Sequence, residues 1–164
     1  MADNTPNNNP VNLLSLDGGG IRGVSQLIIL DEIMKRVQAK KQLTEVPKPC
    51  EYFHLIGGSG TGGLNVIMLG RLKMSTEDAL RNYKNLATAV FSPDNRKLCY
   101  KDGKFRASTL EAEIKKIVKH SCEGYTGDEH LLDPGAGRDA VGNMFVCAKT
   151  IANLEFPHRF RTYS

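Results

Sequence analysis

The chain has 164 residues, of which 40% are hydrophobic and 24% charged, and its formal net charge is +4. This composition is typical of one soluble globular domain, and no apolar run approaches the roughly 20 residues that a membrane-spanning helix needs. The mild positive charge gives no basis for a nucleic-acid partner and allows a transient contact with an anionic membrane surface.

Residues 1–10 are rich in asparagine and proline and lack the basic and then apolar order of a signal peptide. We expect a disordered leader here and one domain over residues 11–164. The cysteines form no C-x-x-C pair, so we predict no zinc site, and free thiols in a reducing, cytoplasmic environment. They are Cys50, Cys99, Cys122 and Cys147.

A first strand–glycine–helix unit occupies residues 11–39. Residues 11–16 are apolar and predict a buried strand, which is followed directly by the segment Asp17–Gly23, DGGGIRG, here called the glycine loop. This loop joins the strand to a helix N-terminus, where free backbone N–H groups and the helix dipole favour an anion. Arg22 adds a fixed charge beside it. Apolar residues at helical spacing predict the buried face of this helix: Val24, Leu27, Ile28, Leu30, Ile33, Met34 and Val37.

A second unit of the same kind follows over residues 52–70. A short apolar run with aromatic residues predicts a strand, and a cluster of glycines interrupts it. Leu64, Ile67 and Met68 then recur at helical spacing. Strand, sharp turn and helix form the geometry of a nucleophile elbow, in which a reactive side chain stands at the tip of a strained turn.

The nucleophile elbow requires the frame Gly-x-Ser-x-Gly. Gly58 and Gly62 are the framing glycines in this chain, and the residue between them, where the serine belongs, is Gly60. The nearby hydroxyl groups, on Ser59 and Thr61, each lie one position away. The geometry of an elbow is therefore predicted without the side chain that gives the elbow its chemistry.

The rest of the chain continues the alternation of helices and strands. Ser75 is predicted to cap one helix, and Ser108 with Glu111 forms a capping box for another. Residues 143–149 and 160–163 predict two further strands. This order predicts an α/β fold with a mostly parallel sheet, and in such sheets sites form at the carboxyl ends of the strands. Both glycine units are therefore expected at one end of the sheet.

The glycine loop also matches the dinucleotide-binding pattern G-x-G-x-x-G through Gly18, Gly20 and Gly23. That pattern requires an acidic residue about 20 positions later, at the end of a second strand. Residues 40–43 occupy that position, and they are polar, basic and not strand-like. Acyl transfer explains both units at once, because loop amides would bind an oxyanion while the elbow presents the reacting group.

The glycine loop, the elbow run 53–64 and the tail 145–163 resemble patatin-like phospholipases, especially the fungal multidomain members. The resemblance covers about residues 11–164 and implies a three-layer α/β/α fold, lipid acyl esters as substrate or ligand, and no metal or cofactor. It identifies an oxyanion hole of Gly18, Gly19, Gly20, Arg22 and Gly23. It identifies a nucleophile elbow of Gly58, Ser59, Gly60, Thr61 and Gly62.

The chain departs from the serine–aspartate dyad that the resemblance implies. Gly60 occupies the serine position, and no Asp-Gly-Gly or Asp-Gly-Ala motif follows residue 64. Asp133 comes too early and is followed by proline. We therefore predict a C-terminally truncated, catalytically impaired domain, a pseudoenzyme. The alternative is a non-catalytic lipid-binding or interaction module.

Two arrangements would restore a nucleophile. Ser59 could act alone, although its side chain should point away from the tip of the turn. Ser59, Asp133 and His158 also follow the chain order of an α/β-hydrolase triad. We expect neither, because a serine in a turn more simply bonds its own backbone. His54, predicted inside the strand before the elbow, is expected to be a packed or edge side chain and not a base.

Overall fold

The computed structural model of the chain describes residues 10–97, 105–133, 141–150 and 153–163. The leader predicted over residues 1–10 lies outside these ranges apart from its last residue. The strands are β1 (Leu13–Leu16), β2 (Leu55–Ser59), β3 (Asn143–Thr150) and β4 (Asn153–Arg161). The α-helices are α1 (Gly23–Lys41), α2 (Pro49–Tyr52), α3 (Gly60–Val66), α4 (Thr76–Val90) and α5 (Ala107–Ser121). Short helical turns occupy Gly20–Arg22, Ile67–Arg71 and Pro93–Asn95.

The strands form a sheet in the order β1-β2-β3-β4. β1, β2 and β3 run parallel, whereas β4 turns back antiparallel to β3. Leu14 lies opposite Ile56, and Ile56 lies opposite Met144, so apolar residues of three strands share the face that packs on the helices. The predicted α/β class with a mostly parallel sheet is confirmed. The last predicted strand, residues 160–163, overlaps only the end of β4.

The core lies between one face of this sheet and the helices. α1 packs on α4, α4 packs on α5, and α3 packs on β2 and β3. The prediction for α1 was wrong at Ile28 and Ile33, which expose 51% and 42% of their area. α1 carries apolar residues on both faces, and only one face meets the other helices. That buried face consists of Leu27, Leu30 and Met34.

The two predicted helix caps have different outcomes. The Ser75 hydroxyl accepts the Asp78 N–H at 3.1 Å at the start of α4, which confirms this cap. The capping box at Ser108 is wrong, because the N-cap of α5 is Arg106, two residues earlier, and none of the described side chains caps the helix. Thr109 instead donates to the Asn95 side chain at 2.6 Å. A contact with a distant turn, and not local pattern, therefore sets the start of α5.

The described cysteines, Cys50, Cys122 and Cys147, are free thiols, as predicted. Cys50 is buried beside the core, and burial raises the pKa of its thiol. Cys122 is exposed and Cys147 is partly buried. Cys99 lies outside the described residues.

Candidate functional site

The two glycine units meet at the carboxyl end of the sheet. Because β1 and β2 are parallel neighbours, the glycine loop after β1 comes to lie against the turn after β2. A Cβ atom at Gly60 would lie 3.4 Å from the Gly18 Cα atom. The loop and the turn therefore border one small volume.

The turn between β2 and α3 contains no linking residue. Ser59 ends the strand in extended backbone, with φ −137° and ψ 152°, and Gly60 begins the helix. Gly60 has a φ of +54°, a left-handed conformation that glycine adopts readily and other residues adopt at a cost. Gly60 is exposed and stands at the tip of the turn. The frame in the sequence assigned the missing serine to this same position.

The framing glycines allow α3 to sit directly on the end of β1. A Cβ atom at Gly62 would lie 2.1 Å from the Leu16 carbonyl oxygen, and one at Gly58 would lie 2.7 Å from the same oxygen. Real Cβ atoms do not approach oxygen so closely. The glycines at these two positions are therefore required by steric contact between backbone segments.

Amide groups of the glycine loop are already hydrogen-bonded within the chain. The Thr61 hydroxyl oxygen accepts both the Gly19 N–H and the Gly20 N–H, each at 3.0 Å. The resemblance placed these two amides in an oxyanion hole and assigned Thr61 only to the elbow. In the structure Thr61 is the side chain that ties the elbow to the loop.

Side chains from the surrounding helices hold the carbonyl groups of the same loop. Tyr83 on α4 donates to the Gly20 carbonyl at 2.7 Å. Gln26 on α1 donates to the Asp17 carbonyl at 2.6 Å, and Asn65 on α3 donates to the Gly23 carbonyl at 3.2 Å. The sequence pattern predicts none of these three bonds, and Tyr83 carries only the signal of an apolar core position.

Arg22 and Gly23 complete the loop at the start of α1. Arg22 is exposed, and its Nε donates to the Gly19 carbonyl at 3.4 Å, so it folds back on the loop. Gly23 is buried, and a Cβ atom there would lie 2.3 Å from the Tyr83 hydroxyl oxygen. Gly23 is therefore a packing position for the tyrosine.

Ser59 lies at the end of β2, opposite Cys147 of β3. Side chains alternate along a strand, and the neighbouring Gly58 faces Val66 of α3. Ser59 therefore faces the other side of the sheet. In the part of the chain that the structure describes, its hydroxyl caps no N–H group of α3.

The residues of the triad considered above are not brought together. His158 on β4 pairs with Ala148, which alternation along β3 places on the opposite sheet face from Cys147 and Ser59. The Asp133 backbone N–H donates to the Thr162 carbonyl at 2.9 Å. Thr162 in turn bonds Met144 near the start of β3, far from the carboxyl ends of the strands.

His54 has a structural role just before β2, and not inside the strand as predicted. The ring Nδ1 of His54 accepts the Asn12 backbone N–H at 3.0 Å. The backbone N–H of His54 donates to the Asn12 carbonyl at 2.8 Å. These bonds join the approaches to β1 and β2. They lie at the end of the sheet opposite to the glycine loop.

The described ranges contain no group of three or more histidine, cysteine or acidic side chains arranged to hold a metal ion. In these ranges no helix is both long and apolar enough to cross a bilayer.

Comparison with known proteins places most of the chain in one family. A model of the patatin-like phospholipases matches residues 14–157. "Phospholipase A I" of Arabidopsis thaliana is 29% identical over 171 aligned positions, which cover 92% of this chain and 12% of that protein. "Probable inactive patatin-3-Kuras 1" of Solanum tuberosum is 30% identical over 120 positions, covering 68% and 32%. "Patatin-17" of Solanum cardiophyllum is 29% identical over 119 positions, covering 68% and 31%. The chain thus spans 12% to 32% of the length of these relatives.

Proposed function

The chain belongs to the patatin-like phospholipase family, a family of lipid acyl hydrolases, and on that premise we propose that its two glycine units bind the acyl ester of a lipid without cleaving it at an appreciable rate. The ester carbonyl would lie between the glycine loop and the tip of the elbow. The hydrolytic step would be impaired, because the group that should attack the carbonyl is missing.

The orientation of Gly60 carries this proposal. A side chain at this position would start 3.4 Å from Gly18 and project towards the glycine loop. A serine hydroxyl there would face a carbonyl held by the loop, and glycine offers no such group. In a serine protease, loss of the nucleophile lowers turnover about a millionfold, while binding and oxyanion contacts survive.

The neighbouring hydroxyl groups are poor substitutes for the missing one. The Thr61 oxygen already accepts two amide hydrogens, from Gly19 and Gly20. Ser59 lies on the far side of the sheet by the alternation along β2.

Backbone amides can still polarise a carbonyl in that volume. In a nucleophile elbow, one donor is the N–H of the residue after the nucleophile, and the other is an N–H from a neighbouring loop. The Thr61 nitrogen lies beside Gly18, 3.7 Å from the position of a Gly18 Cβ atom. We assign the backbone N–H groups of Thr61 and Gly18 as the donors to the carbonyl oxygen. Gly19 and Gly20 would shape the loop and would not bind the ligand oxygen.

Exposed apolar residues next to the loop support a lipid as the ligand. Ile21 in the loop exposes 63% of its area, and Ile28 and Ile29 on the outer face of α1 expose 51% and 61%. Such a surface could contact acyl chains or touch a membrane transiently, because burying apolar area is favourable.

Ester hydrolysis tests the proposal directly. p-Nitrophenyl butyrate would be incubated with the unmodified chain, Ser59→Ala, Gly60→Ser and the control Gly124→Ser, which changes a left-handed glycine in the loop after α5. We expect no turnover above the blank from the unmodified chain, Ser59→Ala or the control. The highest rate in the set should come from Gly60→Ser. Turnover by the unmodified chain that disappears in Ser59→Ala would overturn the proposal.

A further inference from the structure

Gly20 is the residue of the glycine loop whose conformation most needs outside support. Its φ of +59° is left-handed, and its neighbour Gly19 is also a glycine. Because glycine populates many backbone conformations, the local sequence does not fix how the Gly20 peptide groups point. Both polar groups of this residue are nevertheless held, the N–H by Thr61 and the carbonyl by Tyr83.

Tyr83 reaches the loop from the interior of the protein. It is fully buried on α4, 63 residues from Gly20 in sequence. Its hydroxyl fills the space that a Cβ atom at Gly23 would need, at 2.3 Å. The tyrosine and the last glycine of the loop therefore fit each other, and the phenol is placed to bond Gly20.

The Thr61 and Tyr83 hydroxyl groups both bond Gly20, Thr61 through the Gly20 N–H and Tyr83 through the Gly20 carbonyl. A hydroxyl group has one donor and two acceptor positions. Thr61 accepts from Gly19 and Gly20, and Tyr83 uses its one donor position for the Gly20 carbonyl. Burial raises the pKa of the Tyr83 phenol, although the Thr61 hydroxyl opposes this shift. The phenol therefore stays protonated near neutral pH and remains a donor.

We propose that Tyr83 and Thr61 are positioning residues of the site, which together fix the orientation of the Gly20 peptide and so the shape of the glycine loop. Neither side chain need touch a ligand. The benefit to lipid binding rests on the proposed function, whereas the effect on the loop does not.

A rival role for Thr61 leads to the opposite result. Its oxygen could occupy the amides of Gly19 and Gly20 in place of a ligand oxygen. Removing the hydroxyl would then free these donors and tighten ligand binding. In the positioning role, the same change loosens the loop and weakens binding.

Amide hydrogen exchange followed by NMR tests the proposal without any lipid. The variants are Tyr83→Phe, Thr61→Val and Thr61→Ser, with Tyr125→Phe as the matched control. Tyr125 accepts a bond from Arg71 through its hydroxyl at 3.1 Å, away from the loop. The N–H groups of Leu27 and Leu30, in the buried face of α1, report the global stability.

We expect Tyr83→Phe to speed the exchange of the Gly20 N–H roughly fivefold more than that of Leu27 and Leu30, as the loss of one hydrogen bond predicts. Thr61→Val should speed the exchange of the Gly19 and Gly20 N–H groups more than that of Leu27 and Leu30. In Thr61→Ser these two amides should exchange as slowly as in the unmodified chain. Tyr125→Phe should not speed the exchange of either amide selectively. Equal acceleration at all these amides, or none at Gly20, would overturn the positioning role.

A second readout uses dihexanoyl phosphatidylcholine below its micelle concentration. The Kd should rise several-fold in Tyr83→Phe and Thr61→Val and remain unchanged in Thr61→Ser. Tighter binding by Thr61→Val would favour the rival role and overturn ours. If the unmodified chain binds no lipid, the proposed function fails, and the exchange data still decide the role of Tyr83.

Discussion

The two strand–glycine–helix units look alike in sequence but use their glycines differently. At the elbow, Gly58 and Gly62 have no side chain because the end of β1 leaves no space for one. In the glycine loop, no described atom lies within 4 Å of a Cβ position at Gly20. The loop is open around Gly20, and hydrogen bonds with Thr61 and Tyr83 hold this residue.

Glycine is therefore present in the two units for two different reasons. At Gly58 and Gly62 of the elbow the reason is steric, so the backbone itself defines the turn. At Gly20 of the loop the reason is conformational, so other helices must supply the order that the loop sequence lacks. Each of the following changes tests one side of this comparison.

The largest effect is expected from Gly62→Ala. Its Cβ atom would lie 2.1 Å from the Leu16 carbonyl oxygen, a backbone atom that cannot move without displacing β1. We expect a loss of about 3 kcal/mol or more in the free energy of unfolding, measured by urea denaturation. The matched control is Gly19→Ala, where the nearest contact is 3.5 Å and φ is −168°, outside the left-handed region. Equal losses in both variants would contradict the distinction between the two units.

Gly57→Ala should have the next largest effect, and it should depend on a neighbour. The new Cβ atom would meet the ring of Phe145 at 2.5 Å, and a ring can shift where a backbone cannot. We expect a cost of about 1–3 kcal/mol in the intact chain. In a Phe145→Leu background the cost should fall by at least about 0.5 kcal/mol. Additive costs in this double-mutant cycle would rule out the steric explanation.

Much of the elbow was predictable because its signals are local. The apolar run, the framing glycines and the resumed helical spacing all lie within residues 52–70, and the structure forms β2 and α3 from them. The position of Gly60 at the tip follows from the same frame.

The support of the glycine loop could not be read from the sequence in the same way. Tyr83 lies 63 residues from the carbonyl that it bonds, and in sequence it resembles any other core position. Gln26 and Asn65 also gave no local signal for their bonds to the loop. The start of α5 was wrong for the same reason, since a contact with Asn95 outweighs the local capping pattern.

Each unit contains one left-handed glycine, and we expect its replacement by alanine to have a smaller effect on the free energy of unfolding. Gly60→Ala and Gly20→Ala place a Cβ atom at φ +54° and +59°, with ordinary space around both positions. Each should cost about 1 kcal/mol, because a residue with a Cβ atom is strained there. Urea denaturation of the two variants should give similar losses. A loss at Gly20 much greater than at Gly60 would show that the loop, and not the elbow, is sterically closed.

The smallest effect concerns the attachment of α4, the helix that carries Tyr83. Asp31 on α1 accepts a hydrogen bond from Thr76 at 2.5 Å and pairs with Lys35 at 2.7 Å. Partial burial alone would raise the pKa of Asp31, but the bonds from Lys35 and Thr76 outweigh it and lower the pKa below its ordinary 3.8.

The folded protein lowers the pKa of Asp31, so ionised Asp31 stabilises the fold at pH values above its ordinary pKa. This contribution is lost as the pH falls through the lower pKa of the folded state. Asp31→Asn should therefore flatten the loss of stability below about pH 4, measured by urea midpoints at several pH values. Thr76→Val should flatten it in part. Curves for both variants that run parallel to that of the unmodified chain would exclude this contribution.

We propose that the glycine loop and the tip of the elbow form one pocket for an ester carbonyl, with no group to attack it. An NMR titration of the unmodified chain with dihexanoyl phosphatidylcholine tests both halves, since one set of spectra reports the protein amides and any released fatty acid. We predict saturable shifts at Gly18, Gly19, Gly20, Gly60 and Thr61 with the lipid left intact. Release of fatty acid, or a titration that leaves these five amides unmoved, would overturn this proposal.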